Sequence, residues 1–370
     1  MHTVSCWGFV MTAELHLAVA LDGAGWHPAA WRDPAARPAE LFAPAYWLDL
    51  VRTAERGQLD FVTIEDSFDL QPGPRPDHVK GRLDALLIAA RIAPVTTRIG
   101  LVPTVLTTPT EPFHVSTQLA TLDYLSRGRA GWRVRVAGQP QDPQGTADLF
   151  ADAADHVEVV RRLWDSWEDG AEIRDVATGR FVDRDKLHYI DFTGRHFSVK
   201  GPSITPRPPQ GQPVVTALAH ALPAYEFAAA AADIVYVTPD SAGSARAIAT
   251  EVRSLTDRPL KVFADLVVFL DPARKARLDE LDGTPFVSDA HLFSGTAEGL
   301  SELLLDWQAA GIDGFRLRPG ALPADLTSIV DELLPVLRAR GAFRTEYTAE
   351  TLRGHLGLPA AQNRYARVTA

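Results

Sequence analysis

Short apolar runs alternate with longer stretches of helical periodicity along the chain. The first run, 15–21, reads LHLAVAL and ends at Asp22-Gly23, as expected for a strand that is buried on both faces. The longest helical stretch, 148–167, repeats apolar residues at spacings of three and four, as at Val157, Val160 and Leu163. This alternation indicates a parallel sheet built from βα units.

Eight strands can be counted, and the pattern predicts a (β/α)8 TIM barrel. The predicted strands are 15–21, 61–64, 99–105, 130–136, 214–218, 234–237, 262–270 and 314–317. The predicted helices are 44–56, 83–92, 115–125, 148–167, 223–231, 242–255, 271–281, 297–310 and 325–340. A single barrel domain over 15–345 is expected, with a disordered extension over 1–14 and a C-terminal extension over 346–370.

One region does not follow the repeat. Residues 170–212 carry Thr-Gly and Pro-rich turn signals and short aromatic runs. They predict an insertion between the fourth helix and the fifth strand that forms a hairpin of its own.

Composition excludes several classes of protein. The 370 residues have a net charge of −10 and a single cysteine, so a disulfide framework, a Cys-rich metal site and general nucleic-acid binding are not expected. No apolar run approaches the length of a membrane span, and the N-terminus lacks the features of a signal peptide. The 11 histidines show no metal motif, and no hydrolase, dinucleotide or P-loop motif is present. We therefore expect a cytoplasmic α/β protein without a metal.

Candidate site residues follow from the barrel, because TIM-barrel active sites lie at the carboxyl ends of the strands. Asp66, Thr104 and His220 are polar residues at such positions. Each also has an ordinary structural explanation. Asp66 can cap the next segment, Thr104 can bond backbone groups in a loop, and His220 can be a structural histidine.

Two arginines stand out on the fourth strand. Strand alternation places Arg133 and Arg135 on one face and Trp132 and Val134 on the other. If the arginine face points into the barrel, both cations need partners, since unpaired buried charge is costly. Pairing with carboxylates such as Glu65 or Asp66 and binding of an anionic ligand are both open.

Five groups of residues along 15–340 carry a resemblance to a known family. They are TAERG with DF at 53–61, EPFH at 111–114, ATLD through GRAGW at 120–132, VEVVR with LWDSW at 157–167, and GRHFSVKGP through RPPQG at 194–211. In combination they resemble the luciferase-like monooxygenase superfamily, in the branch of nitrilotriacetate monooxygenase, sulfone monooxygenase and pristinamycin synthase. The resemblance implies a barrel of the bacterial luciferase type, usually dimeric, that binds reduced FMN from a partner reductase and activates dioxygen.

The resemblance also places family positions on this chain. The family's aspartate after the second strand falls on Asp66, and its polar residue after the third falls near Thr104. The family's serine near the flavin, at the end of the fourth strand, falls on Ala137. The tyrosine of its His-x-x-x-Tyr pair falls on about Phe150, and its phosphate-binding Gly-Ser-Ser falls on 219–221, with His220 at the centre.

Three functions are compatible with these residues. The preferred one is an FMN-dependent monooxygenase or oxidoreductase for a small organic substrate, a homodimer or heterodimer without nucleic-acid or membrane partners. The residues expected at its flavin are Asp66, Thr104, Arg133, Arg135, Ala137, Phe150 and His220, with Asp66 and His220 as catalytic candidates. The second is a barrel that has lost FMN and acts as a companion subunit or binding protein. The third uses a deazaflavin or no redox cofactor, with His220 as acid or base.

Overall fold

A computed structural model describes residues 14–71, 75–108, 110–136 and 143–366. Within these ranges the strands are β1 (His16–Leu21), β2 (Phe61–Ile64), β3 (Gly100–Leu106), β4 (Gly131–Arg135), β5 (Glu172–Asp175), β6 (Arg180–Val182), β7 (Phe192–Thr193), β8 (Ser198–Val199), β9 (Val214–Leu218), β10 (Ile234–Val237), β11 (Lys261–Phe269), β12 (His291–Ser294) and β13 (Gly314–Pro319).

The helices surround the strands. They are α1 (Pro44–Arg56), α2 (Ala85–Ile92), α3 (Pro112–Ser126), α4 (Pro143–Asp165), α5 (Leu222–Ala231), α6 (Ala242–Ser254), α7 (Pro272–Asp282), α8 (Ala297–Ala309), α9 (Ala324–Ser328), α10 (Leu334–Ala339) and α11 (Leu352–His355). A π-helical turn at Ile329–Leu333 joins α9 to α10. None of the helices that the structure describes is long and apolar enough to cross a bilayer.

Eight parallel strands close into a barrel. Their order is β1, β2, β3, β4, β9, β10, β11 and β13, and β13 pairs back with β1. These are the eight strands that the apolar runs predict, and the predicted TIM barrel is confirmed. Helix 271–281 is also confirmed, as α7.

One strand was missing from the prediction. β12 pairs with the second half of β11, from Leu266 opposite His291 to Phe269 opposite Ser294. β10 pairs only with the first half of β11, Lys261–Ala264, so the longer strand leaves an edge free for a ninth neighbour. The four residues of β12 are only half-buried or exposed, which is why they show no apolar run.

The region 170–212 forms two small hairpins, as its turn signals predict. β5 pairs with β6, and β7 pairs with β8, both antiparallel. Ile190 and Phe192 pack on Val159 and Leu163 of α4 in a separate apolar cluster. The β7–β8 hairpin therefore lies against α4, and neither hairpin pairs with a strand of the barrel.

The chain after 345 closes the amino-terminal end of the barrel. Leu352 and Leu356 are fully buried against Phe61, Val102 and other residues at the base of the strands. A Cβ on Gly100 would lie 2.6 Å from the side chain of Leu352, so only glycine fits at that position. The C-terminal segment is thus part of the barrel's packing.

A buried histidine on α4 makes the stability of the fold depend on pH. His156 is 2% exposed between Trp132 and Phe197, and burial lowers its pKa to about 4 from an ordinary 6.5. The unfolded chain therefore binds a proton more readily than the folded one below pH 6.5. We expect the histidine to cost about 2–3 kcal/mol of stability as the pH falls from 7 to 4.5.

Urea unfolding of the wild type and of His156→Gln at pH 7.5 and 4.5 measures this effect. The substitution changes stability at both pH values, so the quantity to compare is the loss between them. We expect the wild type to lose about 2 kcal/mol more than the variant. Equal losses would show that His156 does not carry the pH dependence.

Candidate active site

A cavity of about 330 Å³ opens at the carboxyl end of the barrel. It is bounded by residues at the ends of β1, β2, β4, β9 and β13 and by α4 and α5. Its lining includes charged and aromatic side chains, namely Asp22, Trp26, Glu65, Arg133, Arg135, Phe150, Phe227, Asp289, Arg316 and Arg318. Charged groups thus form one part of the wall, while Phe150 and Phe227, with ring centroids 5.8 Å apart, form an apolar part.

Glu65, directly after β2, connects two arginines across the barrel. Its carboxylate accepts hydrogen bonds from Arg133 at 2.7 Å and from Arg316 at 3.1 Å. Burial alone would raise the pKa of Glu65, but Arg133 and Arg316 outweigh it, so the pKa lies below its usual value. The carboxylate is therefore held in its charged form.

Asp265, in the middle of β11, likewise connects two arginines. It is fully buried and accepts from Arg316 Nε at 2.7 Å and from Arg318 Nε at 2.9 Å. Burial acts to raise its pKa, yet the two guanidinium groups lower it to about 2. Arg316 also lies over the ring of Tyr236, with 4.3 Å to the centroid.

The contacts continue to the rim. Arg318 donates to Asp289 at 2.8 Å, and Asp289 lies 3.6 Å from His220 Nε2. We call Glu65, Arg133, Asp265, Asp289, Arg316 and Arg318 the barrel network. It couples four strands, β2, β4, β11 and β13, by side chains alone.

The two arginines of β4 point into the barrel, as alternation predicts, and differ in how they are paired. Arg133 bonds Glu65 and donates to Thr104 Oγ1 at 3.1 Å, but its buried Nε has no hydrogen-bond partner among the described residues. Arg135 donates to the backbone oxygen of Asp66 at 2.7 Å and has no carboxylate within 4 Å in the described part of the chain. Within the described ranges, Arg133 thus pairs with a carboxylate and Arg135 does not.

The predicted residues Asp66 and Thr104 contact structural partners. The carboxylate of Asp66 accepts from the backbone N–H groups of Ser67 at 2.7 Å and Ala85 at 2.8 Å, so it binds the first amide of α2, whose N-cap residue is Asp84. Burial raises its pKa against these hydrogen bonds. Thr104 is buried and accepts from Arg133. Their place near a flavin stays a prediction.

The other predicted residues lie in different surroundings. Phe150 of α4 lines the cavity. His220 lies at the rim, where its ring Nδ1 is 2.9 Å from the hydroxyl of Thr238 and its side chain is 44% exposed. Ala137 falls outside the described residues.

Asp22, at the end of β1, lies at one of the strand ends where the sequence predicts the site, but the sequence assigned it no specific role. Burial raises its pKa to about 6, although Arg82, 3.7 Å away, acts to lower it. Arg316 and Arg318 likewise lie at a predicted strand end without a specific role, and Asp265 was not predicted as a site residue. The available signal for Asp265 was a lone charge inside the apolar run 262–270, because such a charge requires a buried partner.

Comparisons with known proteins agree with this architecture. The family model for luciferase-like monooxygenases matches residues 24–316. N-acetyl-S-(2-succino)cysteine monooxygenase of Bacillus subtilis (strain 168) is 30% identical over 96% of this chain and 99% of its own. Nitrilotriacetate monooxygenase component A of Aminobacter aminovorans is 29% identical over 96% and 98%.

A solved structure supports the fold. EDTA monooxygenase from Chelativorans sp. BNC1 superposes with a TM-score of 0.81 at 24% identity, covering 94% of this chain and 99% of that one. The family match spans most of the barrel, and the relatives align along almost their whole length. By its sequence and its barrel, the chain belongs to the luciferase-like monooxygenase family.

Proposed function

We propose that the protein is a flavin-dependent monooxygenase that takes reduced FMN from a partner reductase and oxidises a small organic substrate in the barrel cavity. The observation that carries the proposal is the cavity itself. It lies at the carboxyl end of a luciferase-like barrel and combines cationic donors with an aromatic wall. A dimeric state and a cytoplasmic location remain predictions from the sequence.

The residues at the cavity fit a planar anionic cofactor. Phe150, Phe227 and Trp26 supply flat apolar surface of the kind that packs against an isoalloxazine ring. α5 begins beside the cavity, and its N-cap residue, Ala221, makes no side-chain hydrogen bond to the first turn. The helix dipole favours a phosphate at this end of α5, although Pro223 has no N–H and the amides of Ala224 and Tyr225 already donate to the oxygen of Ala221.

Each residue would have a defined part. His220 precedes α5 and would donate to the phosphate from the rim, and Asp66 and Thr104 would hold polar groups near the ring. The bound reduced flavin supplies the electrons and the oxygen-activating chemistry. The aromatic wall would keep water away from the reacting atoms, since the cavity is at the small end of the range for ligand sites.

Flavin titration tests the proposal. Purified full-length protein is titrated with FMN, reduced FMN, riboflavin and a deazaflavin, followed by absorbance or fluorescence. We expect binding of reduced FMN below about 100 µM, within the usual range for enzyme ligands. Absence of flavin binding would contradict the proposal and favour a companion subunit, and binding of the deazaflavin alone would favour the third function.

His220→Ala separates a phosphate ligand from a structural histidine. If His220 donates to the phosphate, the substitution weakens FMN binding by about tenfold, the value of one such hydrogen bond. Riboflavin has no phosphate, so its affinity should not change. Equal FMN affinity in both proteins would leave His220 with only its contacts to Thr238 and Asp289.

A further inference from the structure

We propose that Arg133 and Arg135 form a carboxylate-binding site in the barrel cavity, and that the substrate is a small organic acid with two or more carboxylates. This inference rests on the proposed function, because it names the substrate class of the same cavity. It assigns the two arginines to the substrate and leaves the phosphate of the flavin to the start of α5.

The arginines that line the cavity outnumber the carboxylates that contact them. Four arginines line the cavity, and three carboxylates of the barrel network contact them: Glu65, Asp265 and Asp289. Asp22, the remaining carboxyl in the wall, lies nearest to Arg82. Among the residues that the structure describes, one guanidinium is thus left without a matching carboxylate, in a protein whose net charge is −10. An uncompensated cation in a partly buried wall favours an anionic ligand.

The arginines of the cavity differ in how many of their N–H groups already donate hydrogen bonds. Arg316 and Arg318 are bound to Asp265 through several N–H groups. Arg135, by contrast, has a single hydrogen bond to a backbone oxygen. Arg133 keeps a buried Nε without a partner in the described structure. The unused hydrogen-bond capacity is therefore concentrated on β4.

The spacing of Arg133 and Arg135 along β4 suits a molecule that carries two carboxylates. Arg133 and Arg135 are two residues apart on one face of a strand, so their Cα atoms are separated by about 6–7 Å. Each guanidinium is a planar fork that matches a carboxylate with two parallel hydrogen bonds. Glu65 and Thr104 hold one Nη of Arg133 in place, which fixes the direction of its fork. Two carboxylates of one small molecule fit this spacing.

Calorimetric titration with propane-1,2,3-tricarboxylate and with butyrate tests the site, on the full-length protein with and without FMN. We expect the tricarboxylate to bind at least tenfold more tightly than the monocarboxylate. Arg135→Gln should weaken tricarboxylate binding by about 10- to 100-fold, because it removes charge-assisted hydrogen bonds. The matched control is Arg253→Gln, since Arg253 pairs with Asp313 at the opposite end of the barrel. It should leave the affinity unchanged.

Asp22→Asn provides a test in the opposite direction. It removes a carboxylate from the cavity wall, where that charge repels an incoming anion. The tricarboxylate should then bind about three- to tenfold more tightly. Damage to the fold would weaken binding, so a gain in affinity cannot come from a structural defect.

Other outcomes would overturn the inference. Equal affinities for tricarboxylate and butyrate would do so, and so would an Arg135→Gln variant that weakens FMN but not riboflavin, because Arg135 would then serve the phosphate. If Arg135→Gln does not fold, Arg135→Lys keeps the charge and removes the fork, and unchanged tricarboxylate affinity in it would contradict bidentate binding. Loss of all flavin binding would contradict the proposed function alone, since the tricarboxylate titration does not need flavin.

Discussion

Asp265→Asn should destabilise the protein by about 3–5 kcal/mol, one of the two largest effects that we expect from a single substitution. Asp265 is fully buried and accepts hydrogen bonds from both Arg316 and Arg318. The amide keeps the size of the side chain but removes its charge. Two buried guanidinium groups would then share only Glu65 and Asp289, and the cost of their burial would no longer be offset.

Chemical unfolding at pH 7 measures the change, with Asp331→Asn as the matched control. Asp331 also pairs with an arginine, Arg56 at 2.5 Å, but both side chains are about half exposed. An exposed pair contributes at most about 1 kcal/mol. A loss for Asp265→Asn as small as that of the control would show that the barrel network does not support the fold.

Leu352→Ala should cost about 2–5 kcal/mol, through a change at the opposite end of the barrel. Leu352 is fully buried where α11 covers the base of the strands, and its side chain fills the space left by Gly100 and Gly131. Truncation would leave a cavity that glycines cannot fill and that the rigid strands cannot close. The free energy of unfolding should fall accordingly, with flavin affinity unchanged because the cavity lies at the other end.

The control for this prediction is Leu87→Ala on α2, where the leucine is 66% exposed. That substitution should change stability by no more than about 0.5 kcal/mol. If Leu352→Ala were as mild as the control, the C-terminal segment would be a dispensable extension. A large loss would instead make the segment part of the folding unit.

The strands of the barrel were predictable because each is buried on both faces. The run 15–21 is apolar except for His16, and the structure forms β1 there with a difference of one residue at its start. The run 262–270, apolar except for Asp265, forms β11 at Lys261–Phe269 and differs by one residue at each end. β12 was not predicted, because its side chains are half-buried or exposed and its sequence therefore shows no apolar run or alternation that would distinguish a strand from a loop.

The site was predictable only in part. Alternation along β4 placed Arg133 and Arg135 inside the barrel, and the structure confirms that orientation. Their partners were harder to find, because Glu65 is 68 residues from Arg133 in the chain. For Asp66, the position after a strand predicted a place near the flavin. The contacts that the structure gives its carboxylate are to two backbone amides, one of them the first amide of α2.

By itself the sequence determined the barrel, the family and the two inward arginines of β4. Each of these follows from local patterns: apolar runs, strand alternation and short motifs. Only the tertiary structure decided which cations are neutralised. Arg133, Arg316 and Arg318 meet carboxylates that are more than 50 residues away in the sequence, whereas Arg135 meets none in the part of the chain described. The physical reason is that charge compensation depends on distances of a few ångströms between strands, and closure of the barrel sets those distances.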